Sequence, residues 1–84
     1  MSFEIRNGVL KNYRAKPGET EVTIPEGVKI IGDLAFCGCS LKSIIIPKSV
    51  KIIDDLAFVN CEDLRSIVIP DGVTSLGDRV FEGC

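Results

Sequence analysis

The stretch LKSIIIPKSVKIIDDLAFVNCED, residues 41–63, is preceded and followed by variants of itself. Downstream, LRSIVIPDGVTSLGDRVFEGC (64–84) aligns with it without a gap, and upstream ETEVTIPEGVKIIGDLAFCGCS (19–40) aligns with one deletion. A repeat of this length is typical of a solenoid, in which one unit buries its apolar face only by stacking on the next. The chain is therefore predicted to be an array of three coils.

Three columns of identical residues confirm the period. An Ile-Pro pair, a Phe and a Cys recur at spacings of 22 and then 23 residues. The members of these columns are Ile24, Ile46 and Ile69; Phe36, Phe58 and Phe81; and Cys39, Cys61 and Cys84. Because the spacings agree in every column, the repeat is a structural unit.

Each coil is predicted to contain a strand, a bend and a short helical turn. In the central coil Leu41, Ile44 and Ile46 fit a strand that enters the core, and Pro47 favours a type I turn directly after it. The segments DLAF, DLAF and DRVF that follow each favour one helical turn. The expected N-caps of these turns are Asp33, Asp55 and Asp78, and their expected left-handed ends are Gly38, Asn60 and Gly83.

Residues 1–18 are not a repeat and are predicted to form an amino-terminal cap and joint. Asn7-Gly8 lies between two short alternating segments in residues 3–13, which is the strongest local indication of a two-residue hairpin. Such a hairpin would cover the open edge of the first coil, since an uncovered strand pairs with other chains. Glu19 stands in the column that is Leu in both later coils, so the fit at this edge departs from the repeat.

The composition excludes several classes of function. Of 84 residues 45% are hydrophobic, which indicates a folded chain, and none is His, which excludes Ser-His, Cys-His and His-metal sites. The formal net charge is −2, and the excess of cations in residues 1–18 is too weak to indicate nucleic-acid binding. No apolar run reaches the ~18 residues of a membrane span. The amino terminus has no signal-peptide core, so the chain is expected to be soluble and untargeted.

Written as L-x-x-I-x-I-P-x-x-V-x-x-I-G-x-x-A-F-x-x-C, the columns resemble the leucine-rich repeat in its BspA-like subclass, known from bacterial and protist surface proteins. The resemblance covers residues 19–84 and departs from the pattern at Asp54 for Gly, Val80 for Ala and Glu19 for Leu. Together with the hairpin, it implies an α/β solenoid: a leucine-rich repeat with a short parallel sheet, one short helical turn per coil and an N-terminal β-hairpin cap. It also implies adhesion or protein binding at the cell surface or after secretion; otherwise the chain would be cytoplasmic.

The Asp column offers an alternative to a purely structural interpretation. Asp33, Asp55 and Asp78 would lie about 5 Å apart in successive coils, close enough to hold a hard cation such as calcium. Calcium needs about six to eight oxygens, however, and N-capping accounts for the same carboxylates. A metal-binding or thiol-redox module is the alternative function, and no cofactor is predicted. An enzyme is not expected, because no nucleophile, base and orienting group come together.

The Cys column is expected to consist of reduced, inward-facing thiols, since buried Cys behaves as a small hydrophobe. The coil spacing would permit disulfide-like Cα distances of about 5 Å between Cys39, Cys61 and Cys84, but a column rarely aligns the two sulfurs. Cys37 falls in a variable column and is expected to be the exposed, reactive thiol. A zinc site is not favoured, because Cys37-Gly38-Cys39 lacks the spacing of a zinc knuckle.

Three surfaces are candidates for protein binding or self-association. The first is the outward row of the sheet, which is either a binding stripe or only strand propensity: Thr23, Ile45 and Val68. The second is a lateral apolar patch over the first two coils: Ile30, Ile52, Leu34 and Leu56. The third is the edge of the last coil: Ile67, Ile69 and Leu76.

The last coil is expected to present an open edge, because the chain stops at Cys84 two positions short of a full coil. An open edge invites pairing with another copy, and a two-fold arrangement would bury both edges. The chain is therefore predicted to be a fragment of a longer array or a homodimer through residues 64–84. No ligand is identified. The predicted function is a non-catalytic structural or protein-interaction module, part of a surface or adhesion-type repeat protein.

Overall fold

The computed structural model describes residues 2–84, which form eight β-strands joined by turns. The strands are β1 Ser2–Arg6, β2 Val9–Arg14, β3 Glu21–Thr23, β4 Ile30–Ile31, β5 Ser43–Ile45, β6 Ile52–Ile53, β7 Ser66–Val68 and β8 Ser75–Leu76. This part of the chain contains no helix, and hence none long and apolar enough to cross a membrane. The architecture is a β-solenoid of about three turns with parallel sheets, so the α component of the predicted α/β solenoid is wrong.

The amino-terminal hairpin is present and joins the solenoid as a strand partner. β1 and β2 pair antiparallel, with a register shift between Glu4 and Ile5. The turn residues Asn7 and Gly8 have φ angles of 51° and 78°, as a two-residue turn that follows the strand twist requires. The other edge of β2 pairs in parallel with β4. The hairpin therefore covers the first coil at β4, while the outer edge of β3 pairs with no strand of residues 2–84.

The coils stack through two parallel sheets instead of the single one expected. β3, β5 and β7 form a three-stranded sheet, and the other five strands form a sheet in the order β1-β2-β4-β6-β8. Equivalent residues stand opposite each other in successive coils, as Val22, Ile44 and Ile67 do in the smaller sheet. The second sheet escaped prediction because each of its coil strands has two residues, too few to show an alternating pattern.

The segment predicted as a helical turn forms a third wall of the solenoid. Three N–H groups within residues 34–38 donate to carbonyls of residues 55–59 in the next coil, over 2.8 to 3.4 Å. The alternate N–H groups, of residues 35–39, donate to carbonyls three positions back along the chain. Residues 56–60 repeat the inter-coil pattern toward the third coil. Backbone donors that a helix would use internally are thus shared between local turns and the neighbouring coil.

Left-handed residues explain why no helix starts after the Asp column. Leu34, Leu56 and Arg79 have φ angles of 60°, 57° and 56°. A right-handed helix requires negative φ angles, so it cannot include these residues. At the far end of the same segment the left-handed conformation was predicted correctly. Its members are Gly38, Asn60 and Gly83, with φ of 68°, 59° and 78°.

An aromatic column runs through the core from the cap to the third coil. Its rings belong to Phe3, Tyr13, Phe36, Phe58 and Phe81, and successive ring centroids are 4.9, 5.1, 5.1 and 5.6 Å apart. Such separations suit aromatic packing, which adds to the burial of each ring. Because two of the five rings come from the hairpin, the cap extends the core as well as the sheet.

Glu19, the departure from the Leu column, bonds the first coil to the cap. Its carboxylate accepts a hydrogen bond from the Tyr13 hydroxyl and, at 3.4 Å, one from the backbone N–H of Lys16. Burial, followed by the hydrogen bond to Glu19, raises the pKa of Tyr13. Tyr13 precedes Phe36 by 23 residues, so the period of the repeat itself could have predicted its place in the aromatic column.

Candidate interaction surfaces

The outward row of the smaller sheet is exposed and becomes more apolar toward the third coil. Thr23, Ile45 and Val68 occupy one register position on β3, β5 and β7. The side chains of Ile45 and Val68 are 56% and 74% exposed, and that of Ile69, next along the chain, is 38% exposed. These three aliphatic residues, Ile45, Val68 and Ile69, are called the apolar patch below.

Two shallow grooves meet at the apolar patch. One has a volume of about 220 Å³ and is lined by Ser43, Ile44, Ile45, Ile46, Ser66, Val68 and Pro70. The other has a volume of about 520 Å³ and is lined by Lys48, Val68, Ile69, Pro70, Asp71 and Gly72. The charged residues of the two linings are one Lys and one Asp. Their charges cancel, so the surface suits an uncharged apolar ligand better than a polyanion.

The lateral patch predicted over the first two coils is less exposed than the apolar patch. Ile30 and Ile52 stand opposite each other on β4 and β6 and are half-buried. Leu56 is also half-buried, whereas Leu34 is 46% exposed. Val9 of the hairpin extends the row of Ile30 by one strand. Leu34 is therefore the member of this patch best placed to contact a partner.

The edge residues of the third coil are more exposed than their counterparts in the second coil. Ile67 is half-buried, Ile69 is partly exposed and Leu76 is 54% exposed. In the second coil the same columns are buried. The difference arises because no further coil within residues 2–84 stacks on the third one. The identity of any partner for this edge stays a prediction.

The Cys column divides by position along the array. Cys61 is fully buried, Cys39 is half-buried and Cys84 is exposed, so the prediction that all three are buried is confirmed for Cys61, holds in part for Cys39 and is wrong for Cys84. Cys37 is exposed, as predicted. All four thiols are free, and the Sγ atoms of Cys39 and Cys61 lie 2.8 Å apart. The repeat in the sequence predicted the Cys column, but the contact between the Cys39 and Cys61 sulfurs is known only from the fold.

The Asp column does not form N-caps to helical turns. The Asp55 carboxylate accepts from the N–H of Asp78 in the next coil at 2.8 Å, so it links coils. Asp54 instead accepts from the N–H of Asp55 at 3.0 Å. Within residues 2–84 no group of three or more His, Cys, Asp or Glu could hold a metal ion. The calcium alternative therefore has no support from the arrangement of the carboxylates.

Comparison with known families identifies the repeat. The family profile described as BspA type Leucine rich repeat region, in six copies, matches residues 11–84. This match begins within β2 and so includes Tyr13, which supplies the aromatic column with a ring from the hairpin. A search of curated proteins finds no match to the chain.

Proposed function

The chain belongs to the BspA-type leucine-rich repeat family, and on this premise we propose that it is a non-catalytic protein-interaction module. The observation that carries the proposal is the apolar patch, whose exposed residues Ile45, Val68 and Ile69 line two grooves that share Val68. Single exposed aliphatic residues are common on soluble proteins, but a contiguous cluster marks a surface that binds a partner.

The chemistry of the described side chains supports a binding role over catalysis. A reaction site needs a nucleophile, a base and an orienting group within hydrogen-bond reach of one cleft. Ser43 and Ser66 line one of the two grooves, whereas Lys48 and Asp71 line the other, so neither groove combines a hydroxyl with a base. The sequence contains no His that could serve instead.

The ligand that fits the apolar patch is a protein segment with two or three aliphatic or aromatic side chains. Val68 and Pro70 line both grooves, so neighbouring side chains of one segment can enter them together. Burial of exposed apolar area supplies the binding free energy, at about 25 cal/mol per Å² before association costs. The flanking Lys48 and Asp71 would orient the segment through polar contacts at the rim.

We further propose that the module is part of a surface or adhesion-type repeat protein. The support for this location is the resemblance of the repeat columns to a subclass known from surface proteins; the family match itself identifies the repeat. Brief protease treatment of intact source cells, followed by detection with an antibody to the repeat, tests it. Loss of the antigen without lysis is expected. Protection until the cells are lysed would contradict a surface location.

The binding proposal is tested by placing a charge in the apolar patch. A photo-crosslinking residue at position 45 first identifies the partner, and the affinity of the purified partner is then measured for V68D and for L34D. L34D is the matched control, because Leu34 is also an exposed aliphatic residue but lies on another wall. Leu34 has a left-handed backbone conformation, which Asp tolerates, so the L34D substitution should not strain the backbone.

We expect V68D to weaken binding by at least about tenfold, the usual loss at a residue central to an interface, and L34D to bind as the unmodified chain does. Circular dichroism and urea unfolding of both variants check that the solenoid is intact. Unchanged affinity in a folded V68D would overturn the assignment of the site. A loss confined to L34D would move the site to the lateral patch.

A further inference from the structure

Cys39 and Cys61 form a contacting pair of thiols in neighbouring coils. Their Sγ atoms lie 2.8 Å apart, and the Cys61 thiol also lies 2.9 Å from the carbonyl oxygen of Phe36, to which it donates. Neither residue lies on a strand, but the backbones beside them are hydrogen-bonded between coils, since the Gly38 N–H donates to the Val59 carbonyl at 2.8 Å. Backbones at this separation suit the range of about 4.4–6.8 Å that Cα atoms joined by a disulfide occupy. Bond formation requires the sulfurs to approach by roughly a further 0.8 Å.

The two thiols are chemically unequal. When Cys39 is ionised, the Cys61 S–H can donate to the Cys39 sulfur in place of the Phe36 carbonyl. This hydrogen bond lowers the pKa of Cys39 to about 7, while the same contact and burial raise the pKa of Cys61. Cys39 is half-buried and Cys61 is fully buried. Since the thiolate is the nucleophile in thiol-disulfide exchange, Cys39 attacks first and Cys61 resolves.

A small reagent can reach Cys39 from the surface. The residue lines a groove of about 360 Å³ with Tyr13, Ala15, Lys16, Pro17, Gly18, Glu19, Cys37, Gly38 and Ser40. It also lines a groove of about 400 Å³ with Gly38, Ser40, Asn60, Glu62 and Asp63. The charges of Lys16 and Glu19 balance in the first groove, whereas Glu62 and Asp63 in the second groove repel an anionic reagent. The accessible side is therefore the one next to the cap.

We propose that Cys39 and Cys61 form a reversible disulfide between coils by reaction with a low-molecular-weight disulfide such as oxidised glutathione. The Cys39 thiolate attacks one sulfur of the reagent, forming a mixed disulfide and releasing one glutathione thiolate. The Cys61 sulfur then attacks the Cys39 sulfur, the mixed disulfide breaks, and the second glutathione leaves with the Cys61 proton. The two protein thiols lose two electrons, which reduce one glutathione disulfide to two glutathione molecules.

The bond would lock the first coil to the second. It would close a loop of the chain between residues 39 and 61, and a loop of this size lowers the equilibrium constant for unfolding by roughly 300-fold when the bond is unstrained. The pair thus acts as a redox-responsive clip for the part of the array nearest the cap. The exposed cysteines are left out of the clip, because the thiol–thiol contact found within residues 2–84 joins Cys39 to Cys61, and Cys37 lies in another column.

The test uses the double variant C37S/C84S, which retains only the pair, with two controls that each retain a single cysteine. Folded protein is treated with oxidised glutathione near neutral pH, and its intact mass and free thiols in denaturant are measured. We expect the double variant to lose the mass of two hydrogen atoms and both titratable thiols, reversibly with dithiothreitol. Peptide mapping of the unmodified chain should then show the Cys39–Cys61 link directly.

The controls separate the two roles. The variant that retains Cys39 alone should accumulate a stable glutathione adduct, and the one that retains Cys61 alone should stay unmodified while folded. The rate of the Cys39 reaction should rise with pH through about 7 as its thiolate forms. Persistence of both thiols in the double variant, or a glutathione adduct on it that never resolves, would overturn the proposal.

Discussion

At Gly77 the neighbouring coil lies so close that no residue with a Cβ atom fits without a shift of the backbone. A Cβ atom on Gly77 would lie 2.5 Å from the backbone nitrogen of Asp55 and 2.6 Å from the carbonyl carbon of Asp54. Those atoms belong to the coil below, and they are held there because Asp55 accepts from Asp78 across the interface. The glycine is therefore required by its neighbours in the stack, not by its own φ angle.

We predict that Gly77→Ala lowers the free energy of unfolding by about 1–3 kcal/mol, the usual cost of overpacking. Gly72→Ala is the matched control, because the nearest atom to its new Cβ would be the mobile Lys51 Nζ at 3.1 Å. Replacing glycine there should be close to neutral, since the unfolded chain also loses freedom. Urea unfolding measures both variants, and equal midpoints would contradict the clash.

Ionisation of Tyr13 is expected to lower the stability of the protein at alkaline pH. Its pKa is raised in the folded state, so its contribution is fully present below the unfolded pKa of about 10 and is lost as pH rises above that value. We predict that the unmodified chain loses stability relative to Y13F between about pH 8 and about pH 11. Urea midpoints of the two chains at both pH values provide the comparison. A difference that does not change with pH would refute it.

The strands and turns of one coil are stable mainly through the coils on either side. Short strands of two or three residues bury little area by themselves, and each wall obtains its hydrogen bonds from the next coil. An inner coil therefore has two stabilising interfaces and an outer coil has one, as expected when repeat stability is a sum of nearest-neighbour terms.

The aromatic column tests this dependence on position. Phe58 is fully buried between the rings of Phe36 and Phe81, whereas Phe81 is half-buried and packs on one ring. We predict that Phe58→Ala costs about 3–5 kcal/mol and unfolds much of the population, while Phe81→Ala costs clearly less. Urea or thermal unfolding followed by circular dichroism measures both. Equal losses would show that the outer coil is as constrained as the inner one.

The solenoid as a whole has two unlike ends. At the first coil the hairpin covers β4 and leaves the outer edge of β3 unpaired, and at the third coil β7 and β8 both lack an outer partner within residues 2–84. Leu76 and Ile69 expose apolar side chains at the latter end. We propose that this end is where a second copy associates, since a two-fold arrangement buries both copies of the edge at once.

Self-association through the third coil predicts that Leu76→Lys weakens a dimer that Leu34→Lys leaves intact. A Lys at the edge places like charges against each other and withdraws apolar area, whereas Leu34 is exposed on the first coil. Light scattering at concentrations on the order of tens of micromolar measures the mass. A monomeric unmodified chain with exchange-protected β7 amides would contradict the dimer.

Much of the architecture follows from the sequence alone. The number of coils, the inward alternation on β3 and β5, the Asn7-Gly8 turn and the exposed row at Ile45 and Val68 were all predicted, because each depends on local periodicity or turn chemistry. The family was predicted from the same columns and is confirmed by the match over residues 11–84. Function beyond a binding module did not follow, since a row of aliphatic side chains specifies a surface but no ligand.

The tertiary structure decided whatever depends on the neighbouring coil. The segments after Asp33 and Asp55 have the residues of a helical turn, yet their N–H groups donate across the stack, because a carbonyl of the next coil lies within reach. The Cys column is uniform in sequence, but Cys61 is buried between coils and Cys84 is exposed at the end. Local propensity acts within a few residues, whereas burial and hydrogen-bond partners come from residues about 22 positions away.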